Sequence, residues 1–417
     1  GTAEFPLPSV NHTYPKDADG NPTLDACLSS MFATYYMSAE VGAGFQCLYD
    51  NKDNLWDALA GYWVAVAGRF ASFENVLGYE LVNEPWAGDV YAQPSNLLPG
   101  VAESKYLQPM YEHLHSAIRT VDDQKIIFFE GLTIDYWQNG FTAGPGGAAY
   151  NDRQVFAYHV YCPIQDPNAK VELACDVINA EFFAMREKDA ARLGVGMVMT
   201  EFGAAEDVKG DMYALGKSAD IMDAHQQSWM YWQFKYYQDI TTCTPEGESL
   251  YNGDGTVCQD KLDVLSRTYP HAVAGQLVDF RFHRHTGEFK MHMVPLAVLP
   301  TTTSSTTTSG TDGSDDAART SEVFVNLQQT YPHGVNVVLA DVGAGTGASA
   351  LRVVCPPSAA AAAAVDGAAK PTGGLVSLVQ IAAVPSVVGE EEEASKVEVT
   401  FSKCGVLPDS PCTCKYY

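Results

Sequence analysis

The stretch VLGYELVNEP, residues 76–85, is the segment from which the fold of this chain follows. Its apolar residues predict a short strand over Val76–Asn83, and Pro85 then stops the strand, because proline has no N–H to donate to a sheet. Glu84 lies between the two, so its carboxylate is predicted at the carboxyl end of a buried strand. In parallel β/α folds, active sites are built at this edge of the sheet.

Four further apolar runs have the same character, each of them short and ending in polar residues. They are Lys125–Gly131, Val155–Tyr161, Val195–Glu201 and Ser228–Gln233. Helical periodicity separates the strands, with one apolar stripe through Leu55, Leu59, Tyr62, Val66 and Phe70 and another through Leu107, Tyr111, Leu114, Ile118 and Val121. Short buried strands that alternate with amphipathic helices predict an α/β fold, with a parallel sheet or a (β/α) barrel.

After about residue 272 the pattern changes to short strands without helices between them. Val278–Phe282 and Glu288–Val294 flank the turn His285-Thr286-Gly287 and predict a hairpin. Further strand candidates are Glu322–Leu327, Asn336–Leu339, Ala350–Val354, Leu375–Ile381 and Lys396–Phe401. We therefore predict a barrel-type catalytic domain over residues 1–272. A β-sandwich over residues 273–417 would follow it, with Thr/Ser-rich and Ala-rich loop insertions.

The charge and the cysteines limit the partners and the location of the protein. With 51 acidic against 25 basic residues, the formal net charge is -26. Such a surface repels nucleic acid, so we expect no nucleic-acid partner. Ten cysteines without zinc-type spacing predict disulfides, and hence a secreted or lysosome/vacuole-like protein. The sequence contains no run of 18 apolar residues, so it predicts no transmembrane helix. We expect the protein to be a monomer.

A second glutamate, Glu201, repeats the pattern of the first, because it closes the run Val195–Glu201 and a turn follows at Gly203. Glycoside hydrolysis requires two carboxylates on one rim, one to protonate the leaving oxygen and one to attack the anomeric carbon. Either glutamate alone is better interpreted as a solvated residue at a strand end. The two together, with suitable neighbours, favour the pair of a glycosidase.

Four other residues are candidates for the sugar site. Asn83 can hydrogen-bond a sugar 2-hydroxyl, and Trp232, at the end of the last strand, can stack on a sugar ring. Strand alternation places His159 and Tyr161 on one face, where the tyrosine hydroxyl can orient Glu201. For His159, a core histidine with satisfied hydrogen bonds is the alternative interpretation.

Longer segments resemble endoglycoceramidases and related enzymes of glycoside hydrolase family 5, within the cellulase-like clan. They are FQCLYDN (45–51), GYELVNEPWAGD (78–89), TEFG (200–203) and RTYPHAVAG (267–275). The resemblance implies a (β/α)8 TIM barrel followed by a C-terminal β-sandwich. Five strand-and-helix units are found where a closed barrel has eight, so the barrel is expected to lack its first three strands in this chain.

The resemblance also implies the chemistry. Glu84 would be the acid/base and Glu201 the nucleophile, without a metal or another cofactor. The residues that would line the sugar site are Asn83, His159, Tyr161 and Trp232. The implied reaction is hydrolysis of the β-glucosidic bond between glycan and ceramide in a glycosphingolipid, or of another β-glucoside lipid, with transient contact with a membrane surface.

Two quantities follow from a retaining mechanism. The two carboxyl groups are expected about 5–5.5 Å apart. Burial and the negative charge of Glu201 are expected to elevate the pKa of Glu84. Two alternatives stay open. One is a glucosylceramidase or sterol β-glucosidase of the same family, and the other is an inactive fragment or a glycolipid-binding protein. The missing strands favour the second alternative, and the presence of both glutamates argues against it.

Overall fold

The computed structural model describes most of the chain up to residue 295 and shorter segments after it. The described residues are 15–20, 23, 25, 36–133, 137–161, 172–205, 209–237, 248–295, 320–326, 329–341, 351–354, 376–383, 397–403 and 414–415. The chain divides into two compact units. The first comprises Gly1–Leu215 and Gln227–Cys258, and the second comprises Gly216–Gln226 and Gln259–Tyr417. The predicted domain boundary at residue 272 stays a prediction.

Five parallel strands form the sheet of the first unit, and they lie side by side in chain order. They are β1 (Gly78–Glu80), β2 (Ile126–Glu130), β3 (Gln154–Val160), β4 (Gly196–Gly203) and β5 (Ser228–Trp232). Strands that are neighbours in both sequence and space are the arrangement of a (β/α) barrel, whereas a doubly wound sheet reverses its strand order. The five predicted strands and the partial TIM-barrel fold are confirmed.

Helices precede the sheet and connect its strands. They are α1 (Ala39–Tyr49), α2 (Leu55–Phe70), α3 (Gln108–Ile118), α4 (Glu172–Leu193) and α5 (Lys209–Ala224), with short helical turns at Lys52–Asn54, Pro94–Leu97, Glu103–Leu107 and Ala148–Arg153. Helix α1 begins at the N-cap Ser38, whose Oγ accepts the backbone N–H of Val41. None of the described helices combines the length and the apolar character needed to cross a membrane.

Helix α3 packs against the sheet as its periodicity predicts. Leu107, Tyr111, Leu114 and Ile118 are all fully buried in the core of the first unit. Burying a side chain such as Leu114 contributes about 1.5–3 kcal/mol, so this stripe fixes the helix on the sheet. Val121 lies beyond the end of α3 and is exposed.

The stripe predicted on helix α2 is wrong at three of its five positions. The exposed members are Leu55, Tyr62 and Phe70. The buried positions of the helix are instead Ala60 and Ala67, and the predicted Leu59 and Val66 pack partly buried against the same core. The hydroxyl of Tyr79, on β1, donates to the carbonyl oxygen of Ala67 at 3.3 Å. A search for large apolar residues overlooks a helix face that is built on alanine.

The second unit contains two antiparallel sheets, with strand orders β14-β10-β13-β8-β7 and β11-β12-β9-β6. The strands are β6 (Tyr269–Ala272), β7 (Gly275–His283), β8 (Glu288–Pro295), β9 (Thr320–Asn326), β10 (Gly334–Asp341), β11 (Leu351–Val354), β12 (Val376–Ala383), β13 (Val397–Lys403) and β14 (Cys414–Lys415), and helix α6 (Gln259–Leu265) precedes them. Phe289 and Phe401 from one sheet and Val323 from the other are buried in one cluster. The predicted β-sandwich is therefore confirmed.

Two strands of the sandwich were not predicted, and the predicted disulfides are tested only in part. Strand β6 contains Pro270, and a proline argues against a strand in the sequence. The strand forms nevertheless because it lies at a sheet edge, where a missing N–H is tolerated. Strand β14 is only two residues long. Cys47 has a free thiol. Apart from Cys47 and Cys258, the cysteine side chains lie outside the described part of the chain, so the disulfides stay a prediction.

Candidate active site

Four acidic side chains and one histidine meet at the carboxyl ends of β1 to β4. Glu80 ends β1, Glu84 follows it, Glu130 ends β2, His159 is near the end of β3, and Glu201 lies in β4. One carboxylate oxygen each of Glu84 and Glu201 and one ring nitrogen of His159 lie within 4.8 Å of one another. The same holds for Glu80, Glu130 and His159. The parallel sheet thus gathers residues that are far apart in the sequence.

The two glutamates singled out in the sequence share one small gap. Both side chains are about one-seventh exposed, at 14% for Glu84 and 15% for Glu201, so each is reachable yet largely shielded from water. An oxygen–oxygen separation within 4.8 Å fits the carboxyl spacing of about 5–5.5 Å in enzymes that form a glycosyl-enzyme. It is too short for the spacing of about 6.5–9.5 Å that leaves room for an attacking water between the groups.

The backbone of Glu84 has an unusual conformation. Its φ angle is 44°, in the left-handed region, which costs a residue with a β-carbon roughly 1–2 kcal/mol. The backbone N–H of Glu84 donates to Oε2 of Glu130 at 2.7 Å, and the next carbonyl oxygen, that of Pro85, accepts the N–H of Thr133 at 3.1 Å. Strand β2 and the residues after it therefore hold the turn that carries Glu84.

Two donors bind the carboxylate of Glu84. The hydroxyl of Tyr36 donates to Oε2 at 2.6 Å, and Nδ1 of His159 lies 2.9 Å from Oε1. Burial raises the pKa of Glu84, but these two hydrogen bonds and the charge of His159 outweigh burial and bring that pKa below its ordinary value. The predicted elevated pKa of Glu84 is therefore wrong, because the sequence did not reveal the donors.

His159 carries the positive charge of the site. Burial lowers its pKa, but the hydrogen bond to Glu84 and the charges of Glu130 and Glu201 together raise the pKa of His159 to about 9. His159 is thus an imidazolium at neutral pH, and the interpretation as an ordinary core histidine does not fit these contacts. The cluster also has the atom types of a metal site, yet a metal would first have to displace the proton of His159.

Tyr161 and His159 hold the carboxylate of Glu201. The hydroxyl of Tyr161 donates to Oε1 of Glu201 at 2.6 Å, and Nδ1 of His159 lies 3.7 Å from the same oxygen. Burial raises the pKa of Glu201 above its ordinary value, while His159 and Tyr161 act in the opposite direction. His159 on β3 and Tyr161 just after it therefore both approach the same oxygen of Glu201.

The remaining candidates lie at the rim. Asn83 is exposed and immediately precedes Glu84. Trp232 ends β5 with 39% of its surface exposed, and its indole N–H donates to Oε2 of Glu248 at 3.2 Å. An exposed indole at a strand end leaves a flat face available for stacking. The sugar-binding roles of these two residues stay predictions.

Three contacts at this site were missed in the sequence. Glu130 ends the apolar strand β2 just as Glu201 lies at the end of an apolar run, so the same pattern identifies it once every strand is searched. Glu80, the last residue of β1, accepts a hydrogen bond from Oγ1 of Thr200 at 2.8 Å and lies beside Glu130. Tyr36 precedes α1 in a region without any motif, and no pattern in the sequence pointed to it.

A parallel β/α sheet with two facing glutamates at its carboxyl edge defines a glycoside hydrolase of the barrel type. Comparison with known families narrows this class. Residues 43–238 match the model of the cellulase domain of glycosyl hydrolase family 5, and residues 267–361 match the C-terminal domain of the same family. The chain belongs to glycoside hydrolase family 5, which confirms the resemblance found in the sequence.

Within this family the chain is similar to endoglycoceramidases. It is 39% identical to one from Cyanea nozakii, over 72% of this chain and 58% of the relative, and 36% identical to one from Hydra vulgaris, over 70% and 53%. The chain thus spans little more than half the length of these relatives. The solved endo-glycoceramidase II from Rhodococcus sp. has the same fold, with a TM-score of 0.61 at 21% identity, covering 89% of this chain and 71% of that one.

Proposed function

We propose that this protein is a retaining glycoside hydrolase that cleaves the β-glucosidic bond between glycan and ceramide in glycosphingolipids. The observation that carries the proposal is the pair of Glu84 and Glu201, whose oxygens lie within 4.8 Å of each other at the carboxyl edge of the sheet. Glu201 would attack the anomeric carbon, and Glu84 would protonate the leaving oxygen of the ceramide. Glu84 would then deprotonate the water that releases the glycan.

The low pKa of Glu84 is compatible with its role as an acid because Glu84 and His159 are coupled. At neutral pH the pair holds one proton, which resides on His159, 2.9 Å from Oε1 of Glu84. Transfer of that proton across the hydrogen bond turns the ion pair into a neutral imidazole and a neutral carboxylic acid. The pair then keeps the same total charge, and Glu84 is ready to donate to the leaving oxygen.

The substrate class rests on the relatives. Both curated relatives named above are called endoglycoceramidases. The Rhodococcus enzyme has also been solved as a lactosyl-enzyme intermediate and in complex with ganglioside GM3. These names support a covalent intermediate and a glycosphingolipid substrate for the present protein.

Product analysis tests this proposal. The protein is incubated separately with a ganglioside, glucosylceramide and a sterol glucoside, and the released sugars and lipids are measured. We expect an intact oligosaccharide and free ceramide from the ganglioside. Glucose released only from glucosylceramide or the sterol glucoside would instead show a glucosylceramidase or sterol β-glucosidase. Binding of ganglioside without any product, equal to that of a Glu84→Gln/Glu201→Gln double variant, would show a glycolipid-binding protein.

A change at Tyr161 tests how Glu201 is kept ionised. We expect Tyr161→Phe to lower kcat roughly 10-fold, the cost of one hydrogen bond to a charged group. The hydroxyl of Tyr161 lowers the pKa of Glu201, so its removal should raise that pKa. The acid limb of the pH profile of kcat/KM should therefore move to higher pH. The matched control is Tyr158→Phe on the same strand, whose hydroxyl is 3.4 Å from Gln227. An acid limb that stays in place would contradict this role.

A further inference from the structure

Glu130 contacts both of the groups on which Glu84 depends. Its Oε2 accepts the backbone N–H of Glu84 at 2.7 Å, and its Oε1 lies 3.6 Å from Nδ1 of His159. The residue ends β2 and is 3% exposed, so it lies beneath the gap between Glu84 and Glu201 rather than in it. A carboxyl group at such depth stabilises a fold only if its hydrogen bonds compensate for the lost solvation.

We infer that Glu130 is a positioning residue, which holds the left-handed backbone of Glu84 and thereby aims the Glu84 carboxyl at Glu201. The inference rests on the proposed function, in which Glu84 is the acid/base. The φ of 44° at Glu84 is strained, and a strained backbone persists only where other contacts stabilise it. The hydrogen bond from the backbone N–H of Glu84 to Glu130 is such a contact, and it joins two neighbouring strands. A small rotation here would move the Glu84 carboxyl by an ångström or so, which is enough to disturb proton transfer.

Burial has the largest influence on the pKa of Glu130. Burial raises the pKa of Glu130 to about 8, with Glu80 and Glu84 adding to the rise, while His159 and the backbone bond from Glu84 oppose it. Tyr111 also faces the strand end, where its hydroxyl donates to the carbonyl oxygen of Glu130 at 3.0 Å. The Glu130 carboxyl group accepts the N–H of Glu84 in both of its protonation states, so the positioning contact does not depend on the charge of Glu130.

Two substitutions separate this role from simple packing. Glu130→Met keeps the length of the side chain but removes the acceptor, whereas Glu130→Gln keeps a neutral acceptor. For a glycoside with a poor leaving group, we expect Glu130→Met to lower kcat by roughly 10- to 100-fold with KM almost unchanged. Glu130→Gln should recover most of that rate. With a dinitrophenyl glycoside, whose leaving group needs no proton, the loss in Glu130→Met should shrink to a few-fold.

The matched control is Asp122→Asn, which changes another buried carboxyl group, just before the amino end of β2. It should alter stability without changing the dependence of the rate on the leaving group. Equal losses for both leaving groups in Glu130→Met, or a Glu130→Gln variant as slow as Glu130→Met, would overturn the inference.

A crystal structure of the Glu130→Met variant tests whether Glu130 positions Glu84, and it does so without any measurement of turnover. We expect the Glu84 backbone to leave the left-handed region and the nearest oxygens of Glu84 and Glu201 to separate beyond 4.8 Å. An unchanged Glu84 would overturn the positioning role, whatever the activity. If the wild-type protein hydrolyses no glycoside but this rearrangement occurs, the proposed function has failed while the positioning of Glu84 by Glu130 stands.

Discussion

Replacing Glu201 with Gln is expected to abolish turnover of an aryl β-lactoside, lowering kcat by roughly 10⁴-fold or more. An amide is not a nucleophile under these conditions, so the covalent glycosyl-enzyme cannot form. The change is nearly isosteric, and its carbonyl oxygen can still accept the hydrogen bond from Tyr161. The loss should therefore be chemical, with little change in folding. Steady-state kinetics with a dinitrophenyl lactoside measures it.

Covalent trapping shows whether the loss has this cause. A fluorosugar inactivator, in which fluorine replaces the hydroxyl beside the anomeric carbon, should accumulate as an ester on Glu201 in the wild-type protein. The peptide that carries the label is identified by mass spectrometry, and Glu201→Gln should remain unlabelled. A label on another carboxylate, Glu130 or Glu80 for example, or an unchanged rate in Glu201→Gln, would refute the nucleophile assignment.

Replacing Glu84 with Ala is expected to slow hydrolysis of natural glycosides by roughly 10²- to 10⁴-fold, the usual contribution of a general acid. With a dinitrophenyl glycoside the first step needs no proton and should proceed, but release of the sugar should be slow because no base activates water. The glycosyl-enzyme should then accumulate, which appears as a burst of dinitrophenol followed by a low steady rate.

Azide is the sharpest probe of this variant. The small anion can enter the space left by the Glu84 carboxylate and attack without a base, so it should restore the steady rate and yield a glycosyl azide of β configuration. The control is Glu112→Ala, which removes an exposed glutamate on helix α3 and should behave as the wild type does, with no azide effect. An α-glycosyl azide, or no acceleration by azide, would show that Glu84 is not the acid/base of a retaining enzyme.

Much of the fold could be predicted because its signals are local. Each of the five strands is a short apolar run that ends in polar residues, and the sandwich strands alternate over a few positions. The errors have equally local causes. Helix α2 buries alanines that a search for large apolar residues passes over, and β6 contains a proline that an edge strand tolerates. Glu84 and Glu201 were found because both follow such runs.

The protonation pattern could not be predicted in the same way. From the sequence we expected burial and the charge of Glu201 to raise the pKa of Glu84. The sequence contained no sign of the two hydrogen-bond donors, His159 and Tyr36, which lower that pKa instead. Tyr36 lies 48 positions from Glu84, and His159 lies 75 positions away. A pKa depends on distances of a few ångströms between such groups, and no local pattern encodes those distances.

By itself, the sequence determined the order of strands and helices, the change to a sandwich, and the two glutamates at strand ends, because hydrophobic periodicity and turn residues act within a few positions along the chain. The tertiary structure alone decided which groups touch those glutamates. Only the folded sheet brings the imidazolium of His159 and the buried carboxyl of Glu130 against Glu84. The charge of each group in the gap is set by these contacts between separate strands.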